Sequence, residues 1–393
     1  MNNVLIIGAG PVGLSLALSL ARTGVRVTVL EAQEQLSNDA RASTIHPPTL
    51  EFWRDLGVAD QVVAAGIRVD RLQYWERHAR ELVAEFDYGL IAQDTAYPFR
   101  LQCPQATVIP LLAAALKEAG GTLLFGHKLV GLSQDAKGVD ATIEGPGGTY
   151  EHRSSWVAGC DGASSMVRQA LDIPFPGKTY EDRFLLTSTD LDLDTVYPGI
   201  GPVAYIFDPK EWVIVMQVPG ATRIVFRLNN DEDVEAAQEP AALRVRLDAF
   251  IGTPLPYDIQ SSRIYRVHQR VADQFRQGRV LLAGDAAHIN NPAGGMGMNS
   301  GVHDARDLGQ AFASMFQTGD ETALDEYAAN RRSVAAQGVQ THTDKHYDEL
   351  SSSLEEQRQA RNQAYRTAAQ DPTIARQWVL ERAMLSGRAG GQA

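Results

Sequence analysis

The stretch VLIIGAGPVG near the start of the chain leaves room for few folds. An apolar run from Val4 to Ile7 meets Gly8, a helical pattern follows through Leu14, Leu18 and Ala21, and VRVTVLE then alternates like a strand. A strand, turn, helix and strand within about 30 residues open a doubly wound α/β domain built on a parallel sheet. Gly8, Gly10 and Gly13 stand in G-x-G-x-x-G order at the turn. Such glycines permit a tight turn, close approach of backbone to a pyrophosphate and tight helix packing, with the helix N-terminus facing the phosphate charge. Glu31 closes the second strand, where a carboxylate can accept hydrogen bonds from a ribose. The combination predicts a dinucleotide site.

The α/β alternation continues with a helical stretch near Thr107 to Ala119 and a strand at Trp156 to Ala158. It then breaks. From Thr187 to Leu228 the segments VAYIF, WVIVMQV and TRIVFRL, separated by DPKE and PGA, read as strands joined by turns. The α/β pattern resumes at GRVLLAGDAAH, so the β-rich part is expected as an insertion in a discontinuous nucleotide-binding lobe. The expected division is 1–72, 100–182 and 269–335 for that lobe, 73–99 and 183–268 for an inserted β-sheet substrate domain, and 336–393 for a helical C-terminal region. The 393-residue length suits two or three lobes with filled cores.

A net charge of −12 and the lack of a basic run argue against nucleic acid or an anionic membrane as partner. No apolar segment approaches the roughly 18 residues that cross a bilayer. MNNVLIIGAG lacks the basic leader and long apolar run of a secretion signal, which gives the expectation of a cytoplasmic protein. Cys103 and Cys160 have no CxxC spacing and read as small buried hydrophobes, and no metal site is expected.

Two further stretches carry chemistry. In GCDGASSMVR, Asp161 and Gly162 follow a strand and Arg168 lies further along a helix. Taken alone, this reads as a strand-to-helix turn in which Asp or Ser caps the helix. In VLLAGDAAHINNPAGGMGMNSG, a short strand runs into Asp285, five glycines follow the strand, and a helix begins at Gly297 or Met298. The glycines (Gly284, Gly294, Gly295, Gly297 and Gly301) suggest backbone lying close against something.

GAGPVG with Glu31, GCDGASSMVR and GDAAHINNPAGGMGMNSGVHDARDL occur in the order and rough spacing of the single-component FAD-dependent aromatic hydroxylases. That flavoprotein monooxygenase family includes para-hydroxybenzoate hydroxylase and phenol hydroxylase. The resemblance covers about residues 1–335 and is closer to bacterial hydroxylases of phenylpropionates and quinolone-like rings than to para-hydroxybenzoate hydroxylase. It implies that Gly8, Gly10, Gly13 and Glu31 hold the ADP half of FAD, with Arg41 and Gln105 also on the cofactor. It further implies Asp161 near the pyrophosphate and the path of the nicotinamide dinucleotide, Asp285 on the ribityl chain, and Pro292 through Asn299, including Gly295, Gly297 and Met298, along the isoalloxazine. The helix that follows would aim its positive end at the flavin N1 and O2.

A second Rossmann fingerprint and a redox CxxC, both usual in two-dinucleotide flavin reductases, are missing from the sequence, as is the Trp-rich motif of flavin-dependent halogenases, and the extra C-terminal domain of phenol hydroxylase-like members is not expected. The implied activity is hydroxylation of an aromatic or heteroaromatic ring, phenolic or quinolone-like, with NAD(P)H as transient co-substrate and O2, through a flavin C4a-hydroperoxide. The expected partners are therefore small molecules, with a homodimer as the assembly to test. Epoxidation, Baeyer–Villiger-type insertion and decarboxylating hydroxylation remain alternatives, as does a non-catalytic flavin-binding module.

Three motifs are set aside. GKT within PGKTY lacks the first glycine of a P-loop, since Asp172 stands there, and reads as a loop. His342 and His346 lack the Glu of a metalloprotease helix and read as a solvated face. His288 reads as a packing or hydrogen-bonding residue rather than a base. For the substrate pocket, alternation puts Tyr205 and Phe207 on one strand face, and Trp212, Ile214 and Met216 on one face of the next. Such a face covers a substrate ring or packs the core, the core reading being favoured for each residue singly. Arg223 and His46 are candidates to orient an anionic substrate, against a surface or structural role for each.

Overall fold

The computed structural model describes residues 3–38, 42–229, 231–253, 255–290, 294–339 and 355–386. Arg41 and Pro292, and the His342/His346 pair, lie outside the described residues.

Two sheets organise the molecule. The first has six strands, and its centre is parallel: Asn3–Ile7 lies between Arg26–Glu31 and Trp156–Gly159, which pairs in turn with Val280–Leu282. Helices Pro11–Arg22, Gln105–Glu118 and Gly297–Thr318 supply side chains to the core that also takes in Val4, Ile6, Trp156 and Leu281. Leu5, Ile7, Val157 and Leu282 point into a separate core with residues of the strands Lys128–Asp135 and Gly138–Gly145. A parallel sheet covered on both faces needs strands that are apolar at every position, hence the unbroken VLII and VLL runs.

The second sheet has eight strands, including Arg71–Glu76, Glu81–Asp87, Gly177–Thr189, Val203–Phe207, Val213–Val218, Ala221–Leu228 and Ile259–Val271. Its strands alternate because its two faces meet different layers. Ala204, Ile206, Val213 and Val215 pack with Leu243, Leu247 and Phe250 of the helix Pro240–Ile251. Tyr205, Phe207 and Trp212 belong to the opposite face, where Tyr74, Phe86, Tyr365, Val379 and Leu380 complete the core. The last three come from the C-terminal helices Glu355–Gln370 and Pro372–Arg382, so those helices roof this sheet.

A small sheet joins the two systems. Arg100–Gln102 pairs with both Thr44–Ile45 and Ile67–Val69, and the helix Pro47–Asp55 follows the first of these after His46. One motif is corrected here. The GKT segment is the start of the Gly177–Thr189 strand rather than a loop, because Gly177, Lys178 and Thr179 pair with Arg270, Gln269 and His268.

Candidate functional site

Two of the three fingerprint glycines are required by the protein's own packing. Gly8 has φ +103° and a Cβ there would lie 2.5 Å from the Cys160 carbonyl oxygen, while a Cβ on Gly13 would lie 2.0 Å from the Gly8 carbonyl oxygen. Gly10 differs. It has ordinary extended geometry, φ −75° and ψ 179°, caps the Pro11–Arg22 helix without a side-chain bond, and has nothing within 4 Å of where a Cβ would stand. Open space before a helix N-terminus, at a glycine with no internal reason to be one, fits a phosphate group pressed against backbone. Beside it, the Glu31 carboxylate accepts from the Ala9 amide at 3.0 Å and the Gln33 amide at 2.9 Å. Each oxygen keeps a further lone pair for a ribose hydroxyl.

Asp161 has a local structural task. Its carboxylate accepts from the Ser165 hydroxyl at 2.6 Å and from the Met166 and Val167 amides at 2.7 and 3.1 Å, which caps the short helix Met166–Ala170. Burial pushes its pKa up against these hydrogen bonds. Its Cα lies 3.1 Å from the space a Gly8 Cβ would fill, so the segment backs the fingerprint turn. Arg168 links it onward, donating to the carbonyls of Ala163 and Ala286, each at 2.8 Å, with its guanidinium 3.8 Å over the Phe175 ring.

The glycine-rich stretch divides in the same way. Gly284, Gly294 and Gly295 have φ of +63°, +84° and +67°. Cβ atoms on Gly284 and Gly301 would meet Val12 at 2.9 and 2.7 Å, and one on Gly295 would meet Thr44 at 2.6 Å. These glycines serve turns and packing, so the expectation that all five mark close approach to a ligand narrows to one. Gly297 alone of those four compared has an unobstructed Cβ position, and it opens the Gly297–Thr318 helix. Asp285 stands in a 3-10 turn just past the strand, exposed, rather than ending the strand itself.

Asn299 holds the stretch in place. Its oxygen accepts from the His46 amide and the Thr49 hydroxyl, and its nitrogen donates to the carbonyls of Thr44 and Gly295, all at 2.8 Å. The side chain is wholly occupied within the protein. Met298 is half-buried against the main core. Gln105 starts its helix half-buried, its amide donating to the Ala42 carbonyl at 2.8 Å.

A second clamp holds the Asp285 turn. Buried Asp304 accepts from the Gly284 amide at 2.9 Å, from His288 Nε2 at 2.7 Å and from Arg331 Nε at 2.6 Å. Burial would raise its pKa, but His288 and Arg331 outweigh that and hold it well below the usual carboxylate range. His288, stacked on Phe275, is thus the hydrogen-bonding residue expected.

Arg100 is the residue sequence reasoning missed. It is 1% exposed, one of its terminal nitrogens donates to the Arg382 carbonyl at 2.8 Å, and it has no carboxylate partner among the described residues. Its guanidinium carbon stands 5.7 Å from the Tyr88 ring centroid, while the two polar groups do not reach hydrogen-bond geometry. Burial pushes the Tyr88 hydroxyl up to about 12, with the Arg100 charge pulling the other way. A signal was available: Arg100 and Gln102 alternate with the apolar Phe99, Leu101 and Cys103, and all five are buried.

The small sheet pairs Thr44 with Gln102 and Ile45 with Leu101; His46 leaves the ladder just beyond Ile45 to cap the next helix, and Arg100 begins the facing strand. His46 is fully buried, contrary to a surface role, and its Nε2 lies 3.0 Å from the Gly294 carbonyl. Burial, then the Arg100 charge, lowers its pKa well below that of an ordinary imidazole.

Arg100 therefore stands between the glycine-rich stretch and the aromatic face of the large sheet. There Tyr74 stacks on Tyr205 at 5.3 Å and on Phe207 at 5.5 Å, and Phe86 stacks on Trp378 at 3.8 Å. Trp212 packs on Phe184 at 5.3 Å, and Met216 is only partly buried against the same core. Arg223 is buried too, paired across the sheet with Met216 and Ser188.

The fold and site together are those of a flavoprotein. The family described as FAD binding domain matches residues 1–342, and the chain belongs to it as a single-component FAD-dependent aromatic hydroxylase. It is 33% identical to para-nitrophenol 4-monooxygenase of Pseudomonas sp. (strain WBC-3) over 99% of this chain and 97% of that protein. The crystal structure of p-nitrophenol 4-monooxygenase PnpA from Pseudomonas putida DLL-E4 superposes with a TM-score of 0.90 at 32% identity, covering 99% of this chain and 100% of that one. Aklavinone-11 hydroxylase in ternary complex with FAD and aklavinone gives 0.80 at 30% identity, over 89% of this chain and 69% of that one. FAD is the cofactor these findings support, and the enzyme is a monooxygenase.

Proposed function

We propose that this enzyme hydroxylates a small phenol, at the expense of NAD(P)H and O2 in the cytoplasm, and that Arg100 holds the phenolic oxygen. The observation that carries this reading is the buried guanidinium with no carboxylate partner among the described residues, set against the stacked tyrosines of the large sheet. Burying an uncompensated charge costs several kcal/mol. A substrate oxygen that gains negative charge offsets that cost and leaves its ring electron-rich, as electrophilic oxygenation requires. The near-complete coverage of the nitrophenol enzymes, against 69% of aklavinone-11 hydroxylase, favours a single ring over a polycyclic one.

Gly10, Glu31 and the backbone at Gly297 would hold FAD, with Gly8, Gly13, Asp161, Gly295 and Asn299 shaping the surfaces behind them. Gln105, Met298, Arg41 and Pro292 join the cofactor site, and Asp285 takes the ribityl chain. Bound FAD supplies the oxygen-transferring chemistry. The chain's own residues orient the phenol and keep water away, with Tyr205 and Phe207 as part of the wall.

The test is a panel of phenols, 4-nitrophenol included, scored by stimulated NAD(P)H oxidation, product mass and hydrogen peroxide. Arg100→Met should keep bound FAD yet weaken phenol binding by about 2–3 kcal/mol, as for a lost hydrogen bond to a charged group. Unchanged phenol affinity in that variant, or turnover confined to rings without a hydroxyl, would overturn the assignment.

A further inference from the structure

Among the described residues, three buried polar atoms without a hydrogen-bond partner lie in this region: His46 Nδ1, Arg100 Nε and the Tyr88 hydroxyl. The state of His46 follows from its surroundings. A carbonyl can only accept, so the contact between His46 Nε2 and the Gly294 oxygen requires the ring proton on Nε2. Nδ1 is then a bare acceptor in a fully buried side chain. The imidazole cannot turn to relieve it without giving up the Gly294 bond, and its backbone amide is held by Asn299 at 2.8 Å. An acceptor left unpaired in the interior is costly, and native proteins rarely keep one without a use.

At the start of the facing strand stands Arg100, whose Nε has no hydrogen-bond partner among the described residues. The Arg100 charge is close enough to act on the His46 ring, and a bare acceptor and a bare donor in one neighbourhood are both satisfied by a group that donates and accepts at once. A hydroxyl does that.

We infer that His46 is a specificity residue whose Nδ1 accepts a hydrogen bond from the substrate's hydroxyl while Arg100 donates to the same oxygen. The inference rests on the phenol reading above and deepens it: the protonated phenol binds, and its O–H bond, polarised by donating to His46, presents to Arg100 the negative charge that its oxygen gains. Burial and the neighbouring Arg100 charge keep the imidazole neutral, so it acts as an acceptor and not as a proton sink. A ligand with fluorine in place of the hydroxyl can still face Arg100 but has nothing to donate to His46.

The experiment compares 4-hydroxybenzonitrile with 4-fluorobenzonitrile at neutral pH, reading dissociation constants from the change each causes in the flavin absorbance of the FAD-loaded enzyme. Wild type should bind the phenol at least about tenfold more tightly, the scale of one buried polar group left unpaired. Equal affinities in the wild type overturn the inference without any variant. His46→Gln can keep the donor to Gly294 while removing the acceptor at Nδ1, and His46→Asn can return an acceptor oxygen near that position. H46Q should lose most of the discrimination by weakening the phenol alone, and H46N should restore part of it. If H46Q weakens both ligands equally, or discriminates as the wild type does, His46 is only structural and the inference falls while the phenol reading stands. If wild type turns over no phenol of the panel, both fall.

Discussion

Glycine serves two purposes around this site, and substitution separates them. Gly295 has φ +67° and its missing Cβ would press on Thr44, whereas Gly297 opens a helix and faces empty space. Gly295→Ala should lower folding stability by about 1–2 kcal/mol for the left-handed backbone alone, with the Thr44 contact adding to it. Gly297→Ala should leave apoprotein stability unchanged or slightly raised, since alanine favours a helix, while weakening FAD binding. Urea melts of the apoproteins and FAD titrations followed by flavin fluorescence measure the two effects. Equal FAD affinity in Gly297→Ala and wild type would remove the main reason for placing cofactor against that helix. Gly10→Ala should likewise weaken FAD binding, because its surroundings are equally open, at a small cost in stability because alanine caps a helix less well than glycine.

Elements are held to one another at this site by two polar side chains, and only one of those attachments lies within a motif. Asp304 ties the turn at Gly284 and His288 to the Gly297–Thr318 helix and, through Arg331, to the helix Thr322–Ser333. Asp304→Asn leaves buried Arg331 with only the longer ion pair to Asp307, at 3.5 Å, so the variant should lose up to about 3 kcal/mol of stability, the low end for breaking a buried pair, and release FAD more readily. A chemical-denaturation midpoint at the wild-type value would show that the clamp contributes nothing. The helix start at Gly297 was legible because a glycine run gave way to helical periodicity, and the strands around Tyr205 and Ile224 because apolar residues alternated between turn signals. The latch from Asn299 to Thr44 and His46 was not, since its partners are some 250 positions away and no local pattern records such a distance. The C-terminal helices were visible as helices, yet nothing local showed that Tyr365 and Trp378 would roof the sheet bearing Tyr74 and Phe86. Arg100 was only half legible: its place among buried apolar neighbours shows in FRLQC, but its lack of a carboxylate partner among the described residues depends on what packs around it.

Acid sensitivity of the folded protein follows from how it buries two of its histidines. His46 and His303 are both buried, and Thr49 reaches toward each end of the cluster, donating to Asn299 at 2.8 Å and lying 3.4 Å from His303 Nε2. Burial first, and then nearby positive charge, lowers both imidazole pKa values well below 6.5: Arg100 acts on His46, and Arg306, Arg331 and His46 act on His303, with Asp304 opposing. In the unfolded chain both titrate near 6.5. As pH falls through that value the unfolded state takes up protons that the folded state refuses, so stability declines, by up to about 1.4 kcal/mol per pH unit for each histidine. Asp304 has the same sign but a lower window, because its folded pKa is depressed and its contribution is lost only as pH drops below the ordinary carboxylate range. The melting temperature should therefore be flat above about pH 7 and fall steadily below about 6.5, ahead of any carboxylate titration. His303→Asn removes one of the two proton uptakes, and should flatten the curve between about pH 5 and 6.5 even if it lowers the plateau. A wild-type melting temperature constant from about pH 7 to 5, or a His303→Asn curve as steep as the wild type's, would mean that these imidazoles are protonated in the folded protein and that His46 carries a proton on Nδ1 after all.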